Sequence, residues 1–339
     1  MGFEDFMAGL DPKTAKRIKT AQETTVERLE FASHGLNQIT AGGAARGHFT
    51  LIYGNQSAGK SLAMQQSVAK WQKEGLVCAW VDAEGVWEKD WASRLGVNNE
   101  ELILIQTKSS GGIEKKLAPL MENGIDVVVI DSISDIMPEA FVDDDGAMKD
   151  QQNRKQMGAH AKAITALING LMYLNEDRRT AVILLSQTTT FIGQTYVQQV
   201  PHGGKKVLFA ASQIVKLTSS NTDAKQIKGN VYVGDLVLTR PIGRTVEAFC
   251  EKNKLGPQHR TCEYDIYYDG EEVGIDYVGE VIKQAIQYQI LEKGGAWFNW
   301  GDQKWQGEKN VTKYFKENPM KLEEVLSEIH AVENGGVLD

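Results

Sequence analysis

Short apolar runs recur through the middle of the chain: HFTLIY (48–53), LVCAWVD (76–82), LILIQ (102–106), IDVVVID (125–131) and AVILLSQ (181–187). They are continuous and rich in β-branched and aliphatic residues rather than alternating, which predicts parallel strands covered on both faces. With helical spacers between them, the pattern predicts an α/β core around a mostly parallel central sheet. After about residue 205 the stretches IVKLTSS, VYVGDLVLTRP and RTCEYDIYYDG predict antiparallel strands that extend the sheet. Residues 278–332 read as helical around an aromatic turn, GGAWFNWGDQKWQG, and predict a small α+β C-terminal lobe. Residues 11–30 read as a helix, with Asp11 as N-cap, Pro12 at the first helical position, and Lys13, Lys16, Arg17 and Lys19 making it basic.

The pattern divides the chain into an N-terminal arm (1–33), an α/β core (34–276), a C-terminal lobe (277–332) and a short tail (333–339). The 339 residues, 42% hydrophobic and 24% charged, have the composition of a soluble globular protein. No stretch approaches the roughly 20 apolar residues of a membrane span, and the N-terminus lacks a secretory apolar region, which predicts a cytoplasmic protein with no membrane partner. Cys78, Cys250 and Cys262 are far apart and lack metal-ligand spacing, so they read as reduced core or strand residues. The net charge of −8 excludes a protein that holds nucleic acid by its overall charge. Any such contact must be local.

Chemistry concentrates at the ends of the apolar runs. Gly54-Asn55-Gln56-Ser57-Ala58-Gly59-Lys60-Ser61 fits G-x-x-x-x-G-K-[ST] and lies between the run HFTLIY and a helix beginning near Lys60. Glycines let backbone N–H groups turn inward onto phosphate oxygens, and the helix that follows presents its positive end. Lys60 is placed to reach the β and γ phosphates and Ser61 to ligate Mg²⁺, so ATP and Mg²⁺ are the expected cofactors. Asp131 ends the run IDVVVID at the rim where open α/β sheets bind ligands, and it can hold Mg²⁺ through water. Glu84, in the segment CAWVDAE, is the candidate to orient a hydrolytic water. Spacing alone leaves open whether Asp82 and Glu84 merely solvate a strand end.

The ordered set GNQSAGKS, VDAEG, VVVIDSISDIMPEA, LLSQ, HGGKKVLFAAS, EKNKLGP, EKGGAWFNW, QGEKN and KENP resembles bacterial RecA recombinases and their phage relatives. The resemblance runs from about residue 34 to about 330. It implies a RecA-type P-loop core whose arm mediates oligomerisation, and a DNA-dependent ATPase that forms helical filaments on single-stranded DNA and exchanges strands with duplex DNA. It further implies Glu84 as catalytic glutamate, Trp91 stacking on adenine with Glu88 near the base, and Gln187 as sensor of the γ-phosphate. Lys252 and Lys254 resemble a lysine pair inserted into the neighbouring subunit's ATP site. DNA contacts are implied in two loops, about 138–158 and 188–204, and on the helix after the first: Met157, Gly158, Lys162, Thr165, Asn169, Phe191, Tyr196, Gly203 and Gly204. Single-strand-binding or loader proteins are further implied partners.

Departures from the family pattern are specific. Asn169 stands where a basic residue is expected, and Asp143, Asp144 and Asp145 make the first loop acidic beside Arg154 and Lys155. Leu208 precedes Phe209 where a lysine is common, and the tail HAVENGGVLD has only two acidic residues. Two other readings share the core: a hexameric helicase, which forms closed rings, and an accessory paralogue that exchanges no strands. A small-molecule kinase would need an acceptor pocket that no segment supplies.

Overall fold

The computed structural model describes residues 2–11, 21, 25–144, 158–176, 178–190, 199–219, 225–233, 236–270, 272–333 and 335. The parallel part of its central sheet consists of β3 (Phe49–Gly54), β4 (Cys78–Asp82), β5 (Ile103–Gln106), β6 (Val127–Asp131), β7 (Ala181–Thr190) and β9 (Gln213–Ser219). Their order is β9-β3-β7-β6-β4-β5, and every neighbouring pair runs parallel. β11 (Leu236–Asn253) continues the sheet antiparallel to β9, followed by β12 (Thr261–Tyr267) and β13 (Gly274–Ile275). β10 (Gln226–Val233) pairs with the outer half of β11 as a hairpin. The expected α/β architecture is the observed one.

The continuous apolar runs are explained by two cores, one on each face of the sheet. Along β3, Ile52 joins Met64, Val68 and Trp71 of the helix Lys60–Lys73, while Leu51 and Tyr53 face the other way. That second core is closed by Ile113 and Leu117 of the helix Ser110–Glu122 and by Ile164, Leu167 and Leu171 of the helix Ala159–Leu174. Successive strand residues point to opposite faces, so a sheet covered twice needs apolar side chains at every position. Each fully buried aliphatic side chain contributes on the order of 1.5–3 kcal/mol.

Several sequence expectations fail for identifiable reasons. The helix expected over 11–30 does not reach its end: Arg28–Leu29 is a strand, β1, paired with Ala44–Ala45, β2. Leu29 and Phe31 are buried while Glu30 is exposed, a period of two that overrides the helical reading. Arg28 fixes this segment by donating to the carbonyls of Thr40 and Leu255 at 3.2 and 2.7 Å. The basic residues Lys13, Lys16, Arg17 and Lys19 lie outside the described residues, and a short helix that the sequence did not suggest covers Phe3–Ala8.

The aromatic turn is a three-stranded antiparallel sheet, Glu292–Gly294, Trp297–Trp300 and Gln303–Gln306, on which Phe298 faces inward. It packs with the helices Tyr277–Gln287, Glu308–Glu317 and Pro319–Glu333 around Phe298, Val311, Phe315, Val325 and Ile329. The last helix runs through Glu333, at the start of the expected tail. Glu280 joins this lobe to the core. Its buried carboxylate accepts from Ser33 Oγ, Gly35 N and His34 N at 2.7, 3.1 and 3.2 Å. Cys78, Cys250 and Cys262 are free and lie in strands. No helix among the described residues is long and apolar enough to cross a membrane.

Candidate nucleotide-binding site

The parallel strands end together at one edge of the sheet. Gly54 stands beside Gln187 on β7, and Asp131 stands beside Asp82 on β4. Gly54 must lack a side chain because a Cβ there would lie 2.1 Å from the carbonyl oxygen of Leu217. Beyond it, Gln56 and Ser57 are exposed, Ala58 is buried, and Gly59 takes a left-handed conformation (φ 88°) as the helix begins at Lys60. Positive φ costs a glycine little, so the chain turns sharply and aims the helix N-terminus across the strand ends.

Lys60 is buried and donates from Nζ to the carbonyls of Gly54 and Asn55 at 3.0 and 2.9 Å. Burial pulls its pKa below the ordinary lysine value, while Asp131 and Glu84 oppose the shift. Burial pushes the Asp131 carboxyl up to about 7, against a hydrogen bond from Ser61 and the charge of Lys60; Glu84 and Asp82 push it further up. Asp131 and Glu84 therefore face one ammonium, with Asp82 close behind Asp131. This fits a divalent cation, because Ser61 and Asp131 offer hard oxygen donors where negative charge is in excess. Among the described residues no group of three or more His, Cys, Asp or Glu side chains is arranged to hold a metal alone.

Asp82 and Glu84 differ in their partners. Asp82 is consumed locally, accepting from the N–H groups of Gly85, Val86 and Trp87 at 2.8, 3.1 and 3.0 Å and from Gln106 Nε2 at 3.1 Å. Glu84 instead accepts from Gln187 Nε2 at 3.2 Å. Gln187 is half-buried, and its N–H donates to Ser134 Oγ at 3.0 Å. Thr188 Oγ1 donates to Asn55 Oδ1 at 2.8 Å, linking the glycine-rich loop to the start of the second long loop. Ser134, Thr188 and Arg244, whose Nη1 donates to the Ser57 carbonyl at 3.2 Å, escaped the sequence reading. Thr188 follows Gln187 directly, so its adjacency was an available signal; Arg244 arrives from β11, and no local pattern marks it.

Glu88 is an N-cap. Its carboxylate accepts from the N–H groups of Asp90 and Trp91 at the start of the helix Lys89–Arg94, and this capping positions Trp91 beside it. Trp91 is half-buried, with the Arg94 guanidinium 5.5 Å from its ring centroid.

Lys252 and Lys254 lie at the opposite end of the sheet. Lys252 is level with Ile214, which is level with Leu51, three residues before Gly54. Three strand residues span roughly 10 Å, and two strand spacings add about 10 Å sideways. Lys252 Nζ donates to the Leu208 carbonyl, beside exposed Phe209, and Lys254 is exposed. Neither reaches its own chain's phosphate end.

The described parts of both expected loops are packed or paired. The first begins packed: Val142 is fully buried, Thr107 Oγ1 donates to the Asp144 carbonyl, and the Asp144 carboxylate pairs with Lys115 at 2.8 Å. The acidic start thus neutralises part of its own charge. In the second, Thr188–Thr190 continue β7 and pair with β8 (Gln199–Pro201) as a hairpin. Met157, Phe191, Tyr196, Asp145, Arg154 and Lys155 lie outside the described residues. Gly158 is an exposed N-cap of the helix Ala159–Leu174, on which Lys162 and Asn169 are exposed. Thr165 turns its hydroxyl back to the Ala161 carbonyl at 2.7 Å. Gly203 adopts φ 108° where a Cβ would lie 3.0 Å from both Ile133 and Val207, and exposed Gly204 caps the helix Lys205–Ala210.

A glycine-rich loop, a buried lysine and a strand-end carboxylate at the edge of a parallel sheet define a P-loop nucleotide-binding protein. The family model for the RecA N-terminal domain matches residues 13–274, and that for the RecA C-terminal domain matches residues 279–332. The chain is 30% identical to "Protein RecA" of Sulfurovum sp. over 92% of its length and 85% of the relative's. It is 30% identical to "Protein RecA" of Limosilactobacillus reuteri over 94% and 83%, and 29% identical to "Protein RecA" of Lactiplantibacillus pentosus over 92% and 78%. The chain belongs to the RecA family, which makes it a recombination and repair protein of the kind that binds ATP and DNA.

Proposed function

We propose that this protein is a DNA-dependent ATPase that polymerises on single-stranded DNA and catalyses homologous pairing and strand exchange. The observation that carries the reading is the position of Gln187: its side chain holds Glu84 at the phosphate end, and its backbone leads directly into the second loop. An amide so placed can exchange Glu84 for a γ-phosphate oxygen and move the loop as it does so. Mg²⁺, held by Ser61 and through water by Asp131, would supply charge neutralisation at the phosphates.

Within the chain, Gly54 to Ser61 wrap the triphosphate, Lys60 leaves two carbonyls for the β and γ phosphates, Glu84 orients water, and Trp91 stacks on the base. The distance of Lys252 and Lys254 from that site supports their action in a neighbouring subunit, where they would neutralise charge on the transferring phosphoryl group. Such head-to-tail contact generates an open helix, with the arm at residues 1–33 as the connecting segment. Met157, Gly158, Lys162, Thr165, Asn169, Phe191, Tyr196, Gly203 and Gly204 are the proposed DNA contacts, with aromatic stacking and backbone approach that tolerate any sequence.

The decisive experiment measures ATP hydrolysis with and without single-stranded DNA alongside negative-stain images. Stimulation with helical filaments is the expected result. Closed rings with strand unwinding would replace this reading with a helicase, and DNA-indifferent hydrolysis would leave an accessory paralogue.

A further inference from the structure

One contact joins the flanks of the two proposed DNA loops directly. His160 lies two residues after Gly158 on the helix that follows the first loop, and His202 lies at the end of the hairpin that carries the second. Their imidazole centroids are 4.8 Å apart with planes at 66°, the edge-to-face arrangement that aromatic rings prefer. His160 Nε2 and His202 Nδ1 are enclosed, and neither has a hydrogen-bond partner among the described residues.

Both rings are tied to Gln187. His202 donates from its backbone N–H to the Gln187 carbonyl at 3.0 Å, and its own carbonyl accepts from Ser186 Oγ at 3.1 Å. The His160 ring lies against the backbone of Ser134 and Ile136, and Ser134 Oγ accepts the Gln187 N–H. The ring contact therefore closes a circuit that starts and ends at the residue holding Glu84.

We propose that His160 and His202 are paired positioning residues, whose edge-to-face contact makes the flanks of the two loops shift as one body when Gln187 moves. This rests on the DNA-dependent ATPase reading above. Acid should break the contact. Protonation adds an N–H where no described acceptor waits and sets charge against the other ring. Burial and the charge of His202 hold the His160 pKa below the ordinary histidine value, while the backbone of Ser134 and Ile136 and the carboxylate of Asp135 oppose this. Asp135 already accepts from Ser132 Oγ at 2.6 Å, and Lys162, Lys205 and Lys206 on the two flanking helices carry the wrong sign to compensate. The contact is intact above pH about 6.5 and is lost as pH falls through the lower folded-state value.

The test is ATPase stimulation by single-stranded DNA between pH about 5.5 and about 7.5 in the full chain. Wild type should lose stimulation at the acid end, whereas His160→Phe, which keeps an aromatic edge and cannot titrate, should retain it at both. His160→Ala should lose about tenfold of the stimulation at the upper pH, with nucleotide affinity in the absence of DNA unchanged. The double variant with His202→Ala should be no worse than either single one, since the two act as a unit. Wild-type stimulation in His160→Ala, or an acid limb that persists in His160→Phe, overturns the coupling alone. A wild type that ignores DNA at every pH overturns the ATPase reading and the coupling with it.

Discussion

At the edge where the parallel strands end, Gly54, Asp131 and Gln187 are buried or half-buried and are joined through Lys60, Ser61 and Glu84. The opposite edge is open: Lys254 and Phe209 face solvent, and Lys252 is held by one carbonyl. The first edge has almost everything a nucleotide needs, with its carboxylates in excess over its cations. The second has two lysines and an exposed aromatic ring, set apart from those carboxylates by the length of the strands. On the proposed reading, the cations of the second edge would complete the charge balance of the first in a neighbouring molecule, and assembly would then be a condition of hydrolysis.

The comparison can be broken most sharply at Lys60. Lys60→Ala should lower ATP hydrolysis by about 10³-fold or more, a barrier change on the order of 4 kcal/mol, and should abolish binding of a fluorescent nucleotide. Normal binding by that variant would remove the buried edge as the phosphate site. Next in size, Glu84→Gln should bind ATP normally yet hydrolyse it roughly 10²- to 10³-fold more slowly in single-turnover assays. Unchanged turnover would leave Glu84 as a strand-end residue with no part in hydrolysis.

Lys252→Ala tests the open edge. Alone it should lose about 10²-fold in ATPase activity. Mixed with Lys60→Ala, it should regain part of that activity, because each variant keeps the edge the other lacks. Full activity of a homogeneous Lys252→Ala preparation would show that the two edges do not meet.

The smallest effect spares both edges. Glu280→Gln should cost on the order of 1–3 kcal/mol of stability by unfolding, since an amide NH₂ cannot accept a hydrogen bond and the three now made use both carboxyl oxygens. Burial raises the Glu280 carboxyl from 4.5 to about 8, so the folded protein keeps a proton that the unfolded chain releases. That contribution is present below pH about 4.5 and is lost as pH rises through about 8; Asp131 acts in the same direction. Thermal unfolding of Glu280→Gln should show a shallower loss from pH about 5 to about 8, with DNA-free ATP binding unaltered.

Legibility followed the range of the signal. The strands, the loop from Gly54 to Ser61 and the strand-end position of Asp131 depend on side chains within a few residues of one another, and the pattern of apolar positions exposes them. Arg28–Leu29 was misread because basic residues nearby imitate an amphipathic helix, while Leu29 and Phe31 answer to a core formed by distant segments. The lobe was expected as α+β, but the positions of its strands were not legible, because their pairing partners are separated by turns that composition alone does not distinguish from a longer loop. Glu88 and Glu84 are the same residue type four positions apart. One caps a helix and the other faces Gln187, a choice made by backbone conformation.

The amino-acid sequence by itself determined the twice-covered parallel sheet, because an apolar side chain at every strand position can be satisfied in no other layer arrangement. It also determined the phosphate loop, whose glycines and lysine act through their own backbone. The tertiary structure alone decided which carboxylate meets Gln187, that the two lysines stand at the far edge, and that His160 touches His202. Those relations join residues far apart in the chain, and they exist only once strand order and register have brought the segments side by side.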